Sequence, residues 1–102
     1  MVITDEVKRV VEETAFLSLV TVNADGTPHP IIAGKGTVSG DTVVFGIYKM
    51  EITQANLLKN KNAWVVGATF VDGKPKGIRL AGTAEAQEKR LIFTASAAEP
   101  LI

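Results

Sequence analysis

The sequence predicts a mainly β domain: a small antiparallel barrel of six strands, with one helix before the barrel and one short helix inserted in it. Three observations lead to this fold class. Most apolar stretches are short, rich in β-branched residues and separated by turn residues, which is typical of strands. Helical periodicity occurs only near the N-terminus and in the middle of the chain. The connections are too short for the crossover that neighbouring parallel strands require.

The first element is predicted to be an amphipathic helix. Thr4 can cap its start, and Asp5 and Glu6 place negative charge at the positive end of the helix dipole. Residues at intervals of three and four then form an apolar stripe on one face of the helix: Val7, Val10, Val11 and Thr14. We expect this face to pack on the barrel.

Six segments have the composition of strands: 16–22, 28–33, 42–48, 63–71, 78–87 and 91–97. Residues 37–38 precede the third segment, and the residues 39–41 between them, Ser-Gly-Asp, form a predicted turn. The prolines at 28 and 30 place the start of the second strand at a sheet edge or a bulge. Residues 53–60 have helical spacing and form the predicted inserted helix. Asp72 and Gly73 are a strong signal for a two-residue hairpin between the fourth and fifth strands.

Composition limits the classes of function. The length of 102 residues fits one domain, 1–102, and 46% hydrophobic residues fit a chain with a core. A formal net charge of zero gives no electrostatic signal for nucleic-acid binding. The absence of cysteine excludes thiolate metal sites and cysteine catalysis, and one histidine makes us expect no metal site. With no apolar run of membrane-spanning length and no signal-peptide pattern, we expect a cytoplasmic protein without membrane contact.

No catalytic residue is predicted. His29 lies between two prolines, and the sequence does not pair it with a serine and an acid. The segment 34–36, Gly-Lys-Gly, lacks the spacing of a phosphate-binding loop and no helix starts there, so a bent or bulged strand is the better interpretation.

Two other groups of residues have alternative interpretations. Lys74, Lys76 and Arg79 follow a hairpin tip and form either a solvated loop or an anion clamp. Tyr48 and Trp64 are explained by packing in the core or at an interface. Because no acid–base machinery is visible, any redox chemistry must come from an organic cofactor.

Three stretches resemble one known family. They are FLSLVTVNADGTPHPII, DTVVFGIYKMEITQANLLKNKNAWVVGATF and IRLAGTAEA. The most specific parts are NADGTPHP in the first hairpin, and VVFG followed by TQANLLKNKNAWVV. Together they resemble the FMN-binding split barrel of the pyridoxamine 5'-phosphate oxidase-like group, and its short stand-alone FMN-binding proteins in particular. The resemblance covers residues 5–87, and more loosely the last strand.

This resemblance implies a small six-stranded antiparallel split barrel that forms a homodimer, with two FMN sites at the subunit interface. The flavin would lie along Pro30, Ile31, Ile32 and Ala33. Its phosphate would be held by the segment entering the inserted helix, at Gly46, Ile47, Lys49, Glu51, Ile52, Thr53 and Gln54. Leu101 and Ile102 would either cross the dimer to the partner's flavin ring or complete the core of their own subunit.

The chain departs from the family pattern at two places. Family members carry Arg or Lys at or just before the position of Thr53, where this chain has Glu51 and Ile52, which leaves Lys49 as the substitute. The strand 30–32 also lacks the Arg of vitamin B6 oxidases, and their C-terminal substrate-binding extension is missing. We therefore do not expect pyridoxamine-phosphate oxidase activity itself.

The function that the resemblance implies is that of an FMN-dependent oxidoreductase or electron carrier, with a small molecule or a protein as its redox partner. One alternative is a split-barrel binding module without flavin, which holds haem or another planar ligand. A second alternative is a relative that binds FAD or a deazaflavin.

Overall fold

The computed structural model describes residues 1–102 as two helices and seven strands. In chain order they are α1 (Asp5–Glu13), β1 (Leu17–Val22), β2 (Pro28–Gly34), β3 (Thr37–Ser39), β4 (Thr42–Gly46), α2 (Glu51–Lys59), β5 (Asn62–Val71), β6 (Lys74–Gln87) and β7 (Arg90–Pro100). The strands form one antiparallel sheet in the order β2-β1-β5-β6-β7-β4-β3, which is not closed and has β2 and β3 at its edges. The mainly β, split-barrel-like class with two helices is confirmed.

The prediction of six strands is wrong, because the residues before the predicted turn at 39–41 form a strand of their own, β3. β3 and β4 pair around a tight turn, with Ser39 opposite Thr42. Gly40 in this turn has a φ of 59°, a left-handed conformation that glycine adopts without strain. A strand of three residues is too short to show the alternation from which strands are predicted.

The two helices begin differently. Thr4 caps α1 as predicted, since its side chain accepts a hydrogen bond from the N–H of Val7 at 3.3 Å. By contrast, α2 begins at Glu51, two residues before the predicted start. Met50 at its N-cap is left-handed, with a φ of 52°, and no side chain caps the helix. The sequence signal that normally marks a helix start is therefore absent. Neither helix is long and apolar enough to cross a membrane.

The hairpin between β5 and β6 has the predicted two-residue turn. Val71 pairs with Lys74, and the two residues between them, Asp72 and Gly73, have φ values of 53° and 78°. Positive φ at both positions is typical of the turn whose twist matches that of the flanking strands. β6 starts four residues before the predicted position as a result, and the ribbon of β5, β6 and β7 is longer than predicted.

The core is one cluster of 17 buried apolar residues that includes side chains from both helices and from six of the seven strands. Its largest fully buried side chains are Phe45, Phe93, Leu17, Leu19, Leu80 and Leu91. β2 is the exception, since it contributes only the half-buried Ile31 and Ala33, which pack against the cluster. One edge of the sheet therefore keeps apolar side chains and backbone groups accessible.

Asp41 holds the N-terminal segment. Its carboxylate accepts hydrogen bonds from the backbone N–H groups of Ile3 and Val2, each at 2.9 Å. These bonds lower the pKa of Asp41 from its ordinary value of 3.8. The pKa of Asp41 is lower in the folded state than in the unfolded state. The stabilisation by the Asp41 carboxylate is therefore complete when pH is above the unfolded-state pKa, and it is lost as pH falls through the folded-state pKa.

We expect wild type to be more stable than Asp41→Asn near neutral pH, and this advantage to disappear on acidification, as pH falls below the ordinary value of 3.8 and through the lowered pKa of Asp41. Thermal unfolding followed by circular dichroism at a series of pH values measures it. Asp25, whose pKa is also lowered, is present in both proteins and cancels in the comparison. An advantage that stayed constant over this range would show that the charge of Asp41 does not contribute.

Candidate functional site

An open groove of about 460 Å³ lies between the edge strand β2 and the segment that connects β4 to α2. We call it the edge groove. It is lined by eight residues: Phe16, Ile31, Ile32, Ala33, Gly34, Gly46, Tyr48 and Met50. Six of the eight are hydrophobic, and none carries a formal charge at neutral pH. This is an apolar surface of the kind that planar organic molecules bind.

One wall of the edge groove has polar backbone groups that are free to bind a ligand. β2 pairs only with β1, so alternate N–H and C=O groups of β2 point away from the sheet. Pro28 and Pro30 lack an N–H, and the free donors therefore begin after Pro30. The wall combines apolar side chains with hydrogen-bonding groups, which suits the apolar face and polar edge of a heterocycle.

The opposite wall leads into the start of α2. Lys49 and Met50 are both left-handed, with φ values of 66° and 52°, and they turn the chain sharply from β4 into the helix. No side chain caps the N–H groups of the first turn. Uncapped N–H groups at the positive end of a helix dipole attract anions. The side chain of Gln54 donates to the carbonyl oxygen of Lys49 at 2.9 Å and fixes this turn against the helix.

The charged side chains at this turn are Lys49 and Glu51, both exposed. The ammonium of Lys49 lies 5.7 Å from the centre of the Tyr48 ring and takes part in none of the five salt bridges of the chain. Lys49 is therefore a cation available to a ligand. Glu51 adds a negative charge in the first turn of α2.

Thr53 is placed differently from the other residues of this turn. It lies on the inner face of α2 beside Asn56 and Leu57 and is only 1% exposed. Its hydroxyl is a buried side-chain polar atom without a hydrogen-bond partner. In contrast, Ile52 and Glu51 point outward. The accessible polar groups at the start of α2 are thus its backbone N–H groups, Lys49, Gln54 and the carboxylate of Glu51.

The edge groove brings together four residues that the sequence analysis assigned to the site: Ile31, Ile32, Ala33 and Gly46. Four others were not assigned to it from the sequence: Phe16, Gly34, Tyr48 and Met50. The sequence analysis placed Phe16 and Tyr48 at the ends of predicted strands and interpreted Tyr48 as a packing residue, whereas the structure leaves both side chains exposed. Pro30 and Ile47 adjoin the groove along the chain but do not line it.

The C-terminal residues lie elsewhere in the same chain. Leu101 donates its backbone N–H to the carbonyl oxygen of Gly77 at 3.0 Å, and Ile102 lines a small cavity with Val7 and Val10 of α1. Within one chain, Leu101 and Ile102 therefore do not reach the edge groove.

The comparisons with known proteins agree with this architecture. The family described as pyridoxamine 5'-phosphate oxidase matches residues 3–99 of the chain. No curated protein matches it at the level of sequence.

Several solved structures share the fold. A variant of HupZ from Group A Streptococcus is 18% identical with a TM-score of 0.83, over 99% of this chain and 100% of its own. An FMN-binding protein from Syntrophomonas wolfei is 16% identical with a TM-score of 0.75, over 95% of this chain and 87% of its own. An FAD-binding protein from Mycobacterium smegmatis is 15% identical with a TM-score of 0.73, over 91% of this chain and 87% of its own.

At these identities the solved structures establish a shared fold and nothing finer. The family match is stronger evidence, because it spans nearly the whole chain, from residue 3 to residue 99. The chain belongs to the pyridoxamine 5'-phosphate oxidase family.

Proposed function

We propose that this protein binds FMN in the edge groove and is a flavin-dependent oxidoreductase or electron carrier. One observation supports the proposal: the apolar surface of Ile31–Ala33 and the uncapped start of α2 adjoin the same groove. FMN has the matching two parts, a planar ring system and a phosphate. Family membership and an FMN-binding protein of the same fold support this choice of cofactor.

The ring system would lie against β2. Ile31, Ile32 and Ala33 offer apolar contacts, and the free backbone groups beyond Pro30 would hydrogen-bond to the polar edge of the ring. Gly46 on the other wall has no side chain, and nothing lies within 4 Å of where its Cβ would be. This open space lets a flat ring approach the backbone closely.

The phosphate would lie at the start of α2. The N–H groups of the first turn supply directed donors, and Lys49 supplies the positive charge. We assign the main side-chain contact to Lys49 rather than to Thr53, because the hydroxyl of Thr53 is buried in the chain. Glu51 opposes the phosphate charge, which makes the contribution of Lys49 more important.

When bound, FMN supplies the redox chemistry, by accepting and donating electrons at its ring. The residues of the chain hold and orient the ring and exclude water from one of its faces. No acid or base lines the edge groove apart from the phenol of Tyr48. Apart from this phenol, proton transfer is left to the solvent and the redox partner.

The proposal includes a homodimer. The outer face of the sheet carries a half-buried apolar patch in which Val20, Trp64 and Ala81 lie side by side on three adjacent strands. Val66 lies two residues beyond Trp64 on the same face of β5 and continues the patch. Val66 pairs with Ser18 of β1, and Ser18 pairs in turn with Ile32 of the edge groove. A second copy on this face would bury the patch and cover the open side of the groove.

We expect light scattering at micromolar concentration to give about twice the chain mass of 10.8 kDa. Val66→Glu places a charge in the patch and is expected to shift the protein to the monomer. Leu58→Glu is the control, since Leu58 is 88% exposed on α2 and lies outside the patch. A wild-type mass near 10.8 kDa would overturn the dimer.

Lys49→Ala is expected to weaken FMN binding about tenfold to a hundredfold, because a charge-assisted contact contributes about 1.5–3 kcal/mol. Riboflavin lacks the phosphate, so its affinity should not change. Flavin fluorescence titration measures both affinities. Lys59→Ala, at the other end of the same helix, is the matched control. If Lys49→Ala binds FMN like wild type, the backbone N–H groups alone hold the phosphate.

A further inference from the structure

Arg90 lies beside the edge groove, although it is not one of the lining residues. β4 pairs with β7, and this pairing places Arg90, the first residue of β7, directly opposite Gly46 of the groove wall. Residues that pair in an antiparallel sheet point to the same face of the sheet. The side chain of Arg90 therefore leaves the sheet on the side to which a side chain at Gly46 would point.

The pair of Gly46 and Arg90 is of the type that brings side chains closest together. The next pair is hydrogen-bonded, since Ile47 donates its N–H to the carbonyl oxygen of Lys89 at 2.8 Å. The two types of pair alternate along an antiparallel ladder, so Gly46 and Arg90 form a non-hydrogen-bonded pair, in which the Cα atoms are about 4.5 Å apart. Nothing lies within 4 Å of where a Cβ of Gly46 would be. The long side chain of Arg90 is therefore free to extend over Gly46.

The guanidinium of Arg90 has no acidic partner within the chain. Arg90 is exposed and takes part in none of the five salt bridges. Its neighbour on β6 is the uncharged Gln87. Glu85 accepts a hydrogen bond from Gln87 at 3.1 Å and lies 3.6 Å from the ammonium of Lys61. Glu88, in the turn before β7, is exposed. Arg90 is thus a cation that is available to a ligand.

We propose that Arg90 binds the polar edge of the flavin ring and favours the reduced form of the ring. This inference rests on the proposed function and adds a residue that sets how readily the flavin is reduced. Arg90 lies at the ring end of the site because its partner Gly46 adjoins the ring, whereas Lys49 precedes the turn of α2 that we assign to the phosphate. A guanidinium presents several N–H donors in one plane, which suits the acceptors along the edge of a heterocycle.

The preference for the reduced ring follows from its charge. The oxidised ring is uncharged, and a hydride donor delivers two electrons and one proton to it, which leaves one negative charge on the reduced ring. A fixed cation beside the ring stabilises this charge, and more so where the protein excludes water from one face. Arginine keeps its own charge at every pH at which the protein is folded. Arg90 is therefore expected to raise the reduction potential of the bound flavin.

The test compares the reduction potentials of FMN bound to wild type and to Arg90→Gln, measured against a redox indicator dye. Without the cation, reduced FMN is expected to bind about tenfold less tightly relative to oxidised FMN, which lowers the two-electron potential by about 30 mV. Arg90→Lys keeps the charge and should retain most of the wild-type potential. Lys89→Gln removes the same charge one residue away and is the matched control, because Lys89 lies opposite Ile47, which does not line the groove. It should have the wild-type potential.

An unchanged potential in Arg90→Gln would overturn the inference, as would an equal fall in Lys89→Gln. So would a loss of affinity for oxidised FMN that riboflavin does not share, since that result would place Arg90 at the phosphate. A fluorescence titration of each protein with oxidised FMN is performed first. If wild type binds FMN and the potentials do not differ, only the inference is wrong. If wild type does not bind FMN, the proposed function is wrong as well.

Discussion

Replacing Gly82 by alanine is expected to destabilise the protein by at least about 3 kcal/mol, which is a large share of the stability of a small domain. The added Cβ would overlap the carbonyl oxygen of Thr94 and would lie 2.9 Å from the carbonyl carbon of Thr94 and 3.1 Å from the Cα of Ala95. These atoms belong to the neighbouring backbone and cannot rotate away. The pairing of β6 with β7 is irregular at this point, between Ala81 and Gly82, and brings the two strands close together.

Thermal unfolding should show a fall in Tm of more than about 10 °C for Gly82→Ala. Gly46→Ala is the matched control, because a Cβ at this position would have nothing within 4 Å and the φ of Gly46 is not in the left-handed region. We expect its Tm to stay close to that of wild type. Equal Tm values for the two variants would show that β6 and β7 can separate at Gly82 with little loss of stability.

Gly46→Leu is expected to weaken FMN binding at least about tenfold without lowering the stability of the apoprotein. The leucine side chain would project from the wall of the edge groove into space that the chain leaves open. It would fit the fold and collide with the flavin ring. Flavin fluorescence titration, together with thermal unfolding of the apoprotein, measures the two effects separately.

Ala86→Leu is the control for added volume, since Ala86 is exposed on β6 and does not line the edge groove. It should bind FMN like wild type. Wild-type affinity in Gly46→Leu would mean that the flavin does not lie between β2 and the segment after β4, and would move the proposed site elsewhere.

Local sequence patterns predicted the elements that depend on local chemistry. Thr4 and the two acidic residues after it located the start of α1, and Asp72 with Gly73 located a hairpin turn. Where the local sequence is atypical, the predictions were less accurate: the start of α2 was placed two residues too late, and one strand, β3, was not predicted. α2 has an uncapped, left-handed N-cap at Met50, and β3 is only three residues long.

The edge groove was harder to predict, because the fold brings its two walls together from distant parts of the sheet. Ile31 and Gly46 belong to strands that are separated by four others in the sheet order. Only the family resemblance connected these segments, since no local pattern reports how a sheet curves. Tyr48 was interpreted as a packing residue of the core or of an interface, but it is 82% exposed and does not belong to the core. Phe16 was placed in the first strand, but it precedes β1 and is 75% exposed.

FMN binding at the edge groove is tested by titrating the purified apoprotein with FMN and, in parallel, with riboflavin, and by following flavin fluorescence. We expect FMN to bind at least about tenfold more tightly than riboflavin, because the start of α2 and Lys49 recognise the phosphate while β2 recognises the ring that both ligands share. Equal affinities for the two ligands would show that the start of α2 does not bind the phosphate, and no binding of FMN would show that the edge groove is not a flavin site.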